Sequence, residues 1–198
     1  MLKKALSNPS ILFLLAGNIY CIWYYENHPA DFSTVVWIYW CQSITIGLFN
    51  FLDLFTVKDY QQPLAPTGNR ISAWFFLFHF GFFHLGYAVF LLTDFGIRSV
   101  DSNVLLIAIG AFFLECLINF IRHKRMERTM SVSIGAMFFL PYLRIIPMHL
   151  MILLPAFLGW KPSLLFLVLK MGMDVISSML YHIVYSKNKI IDTAGTPV

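Results

Sequence analysis

Lys170, Asp174, Ser178 and His182 recur at every fourth position within the apolar stretch Pro162 to Tyr185, so a helix carries all four along one face. An Asp or Lys at the centre of a membrane helix costs ~2.5–3.5 kcal/mol on insertion scales, and such residues therefore face a protein interior or a wet cavity and take partners there. This face suits a proton relay or a structural Lys–Asp pair. A second constellation lies in PYLRIIPMHLMILLP, where prolines 141, 147 and 155 free the carbonyls of Met137, Leu143 and Met151 from helical bonding. Open backbone at membrane depth is tolerated only where protein buries it or where it lines a cavity. Arg144 and His149 flank that opening, as a site for an anion or a carboxylate would require. The alternative is a kinked helix in which Arg144 pairs with Glu115 or Asp174.

The histidines suggest metal or haem ligation, because neutral imidazole is a common ligand. His79 and His84 are five apart, about 140° around a helix, and so do not form the i, i+4 pair of a helical zinc motif. A zinc or haem site would draw on several helices, with His79, His149 and His182 as ligands and Asp174 beside them. Hydrogen bonds bridging helices are the alternative reading.

The elements that must position these residues follow from composition. The 198-residue chain is 59% hydrophobic and 12% charged, whereas about a quarter of a soluble domain is charged. Six apolar segments span about 9–25, 34–56, 71–93, 104–121, 134–158 and 162–185. We expect an all-α polytopic bundle of six transmembrane helices forming one domain over 1–198, since about 20 apolar residues cross the hydrocarbon core. At about 1.5 Å per residue, His79, His84, Glu115, His149 and Asp174 fall near mid-membrane, with Gln42 and Ser43 close enough to join. The polar centre is expected from the third, fifth and sixth helices.

Charge sets the orientation. Lys3, Lys4, Lys58, Arg70, Arg122, Lys124, Arg125, Arg128, Lys187 and Lys189 lie on one set of loops, and Arg98 and Lys161 on the other. The positive-inside rule then places both termini in the cytoplasm, with Trp23, Trp37, Trp40, Trp74 and Trp160 near helix ends as an aromatic belt. The N-terminal run after Lys4 lacks a small-residue cleavage pattern and reads as an uncleaved first helix. The segment 57–70, with Ala65-Pro66-Thr67-Gly68-Asn69, reads as a turn-rich connector. The net charge of +4 forms no basic stripe, so nucleic acid is not an expected partner. Arg122, Lys124, Arg125 and Arg128 are candidates for contact with anionic lipid headgroups. A second copy of the chain is a further candidate partner. Cys21, Cys41 and Cys116 lie inside apolar runs without paired spacing, as small buried residues do. The two halves show no inverted repeat of the kind common in transporters.

With VWIYWCQSITIGLFNFL, FFLFHFGFFHLG, PYLRIIPMH and LKMGMDVISSMLYH, the whole chain resembles an uncharacterised prokaryotic family of small multi-pass membrane proteins. That family carries Glu-Ser where this chain has Gln42-Ser43, and His-Tyr-Gly where it has His79-Phe80-Gly81. The resemblance implies that an acid is absent here, which weakens an enzymatic reading. It also implies the inner membrane of a bacterium. Ser131 to Ala136 faintly resembles the nucleophile segment of rhomboid proteases, without their Gly-x-Ser-Gly core. Ser43, His79, Asp174 and His182 faintly resemble the Ser, Asp and His set of alkaline ceramidases, without the His-x-x-x-His spacing. The functional expectation is a small-ligand or proton-linked binding or transport site built from Arg144, His149, Lys170, Asp174, His79 and Glu115. The alternatives are a metal-dependent intramembrane hydrolase and a non-catalytic scaffold.

Overall fold

Asp31 and Asp101 each stand immediately before a long apolar run, and each caps a helix. An aspartate at the N-cap accepts from the first, otherwise orphaned, helical amides. Asp31 accepts from the Thr34 amide at 3.3 Å, from the Ser33 and Thr34 hydroxyls at 2.8 Å, and from the Tyr24 hydroxyl. Burial raises the Asp31 pKa, but these donors outweigh it and hold the carboxyl below its ordinary value. Asp101 accepts from the Asn103 and Val104 amides at 3.0 and 3.2 Å. Its own amide donates to Thr34 Oγ1 at 3.0 Å, which ties the two helix starts together.

The computed structural model describes residues 9–57, 66–97, 100–127, 135, 137–143, 145–146, 149–150 and 164–187, with backbone alone at 66–69 and 181–187. All its regular structure there is helical, in six helices. They are α1 (Pro9–Asn27), α2 (Phe32–Thr56), α3 (Pro66–Asp94), α4 (Ser102–Met126), α5 (the helical positions within 135–150) and α6 (Leu164–Lys187). Three of them, α2, the Arg70–Asp94 part of α3, and α4, are long and apolar enough to cross a membrane.

Two boundaries differ from the sequence expectation. The connector ends earlier than expected because Pro66 opens α3; proline suits a first turn, where its missing N–H has no partner to lose. Helix α4 runs on through Arg122-His123-Lys124-Arg125 to Met126, since charge ends an apolar run without ending a helix. Its last turn closes with the Glu127 amide on the His123 carbonyl at 2.9 Å.

Helix α1 packs against α4 and α6, and α2 against α3 and α4. The first half of α2 is walled in, with Thr34 through Tyr39 all buried. There Trp37 Nε1 donates to the Gly96 carbonyl at 2.8 Å and Trp40 Nε1 to the His84 carbonyl at 3.2 Å, closing that end of the bundle. Gly96 has φ +63°, a left-handed turn after α3 that glycine adopts without a Cβ penalty. Outward, α3 exposes Ile71, Phe75, Phe78, Phe82, Leu85 and Val89, a contiguous apolar stripe of the kind that marks a membrane or protein contact.

Candidate functional site

Lys170 and Asp174 meet across one turn of α6, with Nζ 2.5 Å from Oδ2 and side chains 2% and 0% exposed. Bringing two charges out of water carries an effective penalty of several kcal/mol per ion, offset only by close geometry and further hydrogen bonds. Two amides supply those bonds. Gln42 of α2 accepts from Lys170 at 2.8 Å through Oε1 and donates to Asp174 at 3.2 Å through Nε2, so one side chain clasps both charges. Asn18 of α1 donates to Asp174 at 3.1 Å and to the Leu14 carbonyl at 2.9 Å. The Tyr39 ring lies 4.8 Å from Nζ, a cation–π contact on the closed side.

These amide partners come from α1 and α2, which join α6 at the pair beside the third and fifth helices expected from depth. Depth alone ranked the charged residues of the other helices first, but the facing amides decide which helices close on α6. Gln42 was within reach on depth; Asn18 was not singled out. Its only signal is an amide midway along an apolar helix, where a polar side chain needs a partner.

The other candidate residues sit elsewhere. Glu115, fully buried on α4, accepts from Asn119 at 2.8 Å. His79 is exposed and hydrogen-bonds the Tyr142 hydroxyl at 2.8 Å. His149 is half-buried, with Nδ1 2.8 Å from the Ile145 carbonyl and its ring edge-on to Tyr87 at 4.5 Å. Arg144 and Arg128 lie outside the described residues, as does the His182 side chain, so the proposed zinc set His79, His149 and His182 is described in part. Among the described residues no three His, Cys, Asp or Glu side chains gather as a metal site needs.

His84, named at the expected depth, meets Ser43 at 2.7 Å. A carbonyl only accepts, so the 2.8 Å contact of His84 Nδ1 with the Phe80 carbonyl places the proton on Nδ1 and leaves Nε2 to accept from Ser43. That is the donor order of a nucleophile and its base. Both side chains are buried and His84 stacks on Phe80 at 4.0 Å, so the pair works as a bridge between α2 and α3.

A second polar cluster closes the far end of α2 and α4. His123 Nδ1 lies 2.9 Å from Asp53 Oδ2, and Lys124 Nζ lies 3.3 Å from Asp53 Oδ1 and 2.6 Å from Glu127. The basic run at 122–128 thus sends His123 and Lys124 inward, while Arg125 is exposed and Arg122 half-exposed. Sequence reasoning passed over Asp53 as part of an apolar segment; an acid near the end of α2 at the level of a basic run on α4 was the available signal. Beside this cluster lies a cavity of about 60 Å³, lined on α2, α4, α5 and α6, with Ser177 and Ser178 as its α6 wall.

No curated protein and no solved structure matches the chain, and no likeness to rhomboid proteases or alkaline ceramidases is shown. The chain belongs to the family of unknown function DUF6498, which it matches over residues 1–190.

Proposed function

We propose, from membership of a family whose function is unknown, that this chain is an integral protein of a bacterial inner membrane with six transmembrane helices, both termini cytoplasmic, and a proton-linked anion-binding centre at Lys170 and Asp174. The observation that carries the reading is the ion pair itself, 2% and 0% exposed and clasped by Gln42. Well-packed apolar residues commonly replace a buried pair with no loss of stability, so packing alone gives little reason to keep one. Intramembrane Asp and Lys more often serve ions and protons.

The chemistry follows from charge balance. A proton delivered to Asp174 cancels the carboxylate, and the Lys170 ammonium is then left beside Gln42 without its counter-charge. A small anion supplies the replacement, and its departure is favoured when Asp174 gives the proton back. Exposed Arg125 and half-exposed Arg122 would meet anionic headgroups at the cytoplasmic surface.

Infrared difference spectra of detergent-purified protein, taken between alkaline and acidic buffer, test the centre. A carboxylic C=O band present in the wild type and missing in Asp174→Asn is the expected result. A second reading, a structural lock, draws on the closed hydrogen bonding around both charges. It expects identical spectra, with Asp174→Asn lowering only the melting temperature.

A further inference from the structure

The surroundings of the ion pair are uneven, and a cavity opens at the α6 residues that follow it. On the side of Tyr39 the chain is sealed: Tyr39, Val35, Val36 and Ile38 are fully buried and Cys21 packs among them. On the other side Ser177 and Ser178, three and four residues beyond Asp174 on α6, line the open volume together with Asn50, Asn119, Asp53 and His123. Ser177 and Ser178 thus lie about one helical turn, roughly 5.4 Å along the axis of α6, beyond Asp174. Ser177 is 1% exposed, and its hydroxyl has no hydrogen-bond partner among the described residues. A buried hydroxyl left unmet costs about 1–3 kcal/mol, and a polar site that can hold water removes that cost. The cavity, about 60 Å³, exceeds the ~10–15 Å³ of probe volume that a water needs.

We infer that this cavity is a hydrated vestibule that gives Asp174 access to protons and small polar solutes from the Asp53 and His123 end alone. The inference deepens the proposed proton-linked centre and rests on its placement in a membrane. Ser177 and Ser178 form the vestibule wall next to Asp174 on α6, while Tyr39 and the apolar shell behind it separate Lys170 from the opposite end. The rim carries its own charge balance: Asp53 lies against His123 and Lys124, and Lys124 against Glu127. Among the described groups, Glu115 and Cys116 on α4 and Lys170 on α6 are the other titratable side chains near this route.

Thiol labelling tests the vestibule. In a Cys21→Ala/Cys41→Ala/Cys116→Ala background, Ser177→Cys is exposed in oriented membrane vesicles to a membrane-impermeant cationic methanethiosulfonate, with lipid-facing Ile176→Cys as its neighbour control. The expected result is modification of Ser177→Cys from the cytoplasmic face, at least tenfold faster than Ile176→Cys. No modification from either face overturns the vestibule, and so does equal labelling of the two positions, which would mean that the reagent needs no cavity. Modification from the opposite face keeps the vestibule and overturns the cytoplasmic assignment of the termini. Should the cysteine-free chain fail to fold, native Cys116, which lines the same cavity, serves as reporter with Cys116→Ala as blank, and the same outcomes decide.

Discussion

Gln42 holds both members of an ion pair with one amide, and the energetics of the site turn on that residue. Alanine there would leave Lys170 and Asp174 with fewer bonds at a buried site, whereas the same change at Ser178 faces the cavity. At the bundle's other end Asp31 works by charge. Asp31→Ala removes a cap typically worth about 1 kcal/mol. The Asp31 pKa is lowered in the fold, so its stabilisation is complete above the unfolded carboxylate value of about 3.9 and is lost as pH falls through the folded value. The melting-temperature gap between wild type and Asp31→Ala should therefore be widest near neutrality and close in strong acid. A gap independent of pH would show that the hydrogen bonds, and not the carboxylate charge, carry the effect. At this scale the i, i+4 spacing made the Lys170 and Asp174 pair legible, because one helix holds both. Asn18 is separated from Asp174 by 156 positions and Gln42 by 132, and nothing local in the chain pairs them.

Helices meet closely where a glycine permits. A Cβ on Gly17 of α1 would stand 2.7 Å from the Phe112 ring of α4, and a Cβ on Gly47 of α2 would collide with the Phe80 ring of α3. Small residues at helix crossings are what brings backbones together in a membrane, where apolar burial gives little drive. Gly47→Ala should destabilise by about 1–3 kcal/mol, the usual range for overpacking. Phe80→Leu in the same chain should return part of that loss, as a double-mutant cycle of thermal or denaturant unfolding would measure. Additive losses would mean that Gly47 and Phe80 do not share the crossing. Phe80 also stacks on His84, so the crossing sets where the histidine meets Ser43. Helix existence was readable from the apolar runs. The Pro66 start and the charged end of α4 were not, because turn composition and charge describe a segment's surroundings better than its backbone.

Across the whole molecule, the walled-in first half of α2 and the polar cavity along its second half make the bundle asymmetric from end to end. The proposed topology makes that asymmetry a direction across the membrane. Epitopes added at each terminus should both be cleaved in inside-out vesicles and both be protected in right-side-out ones. Cleavage at opposite faces would require an odd number of crossings and end the six-span proposal. The amino-acid sequence dictated helices, because continuous apolar runs of about 20 residues satisfy their own backbone by helical bonding, and three of the described helices are long and apolar enough to cross a membrane. It also determined that Lys170 and Asp174 share a face. Only the tertiary structure decided which amides close on them, that His123 and Lys124 turn inward to Asp53, and that a cavity opens between Asp53 and Ser177. Those features depend on which faces of separate helices meet, and that is set by ring and glycine packing between residues far apart in the chain.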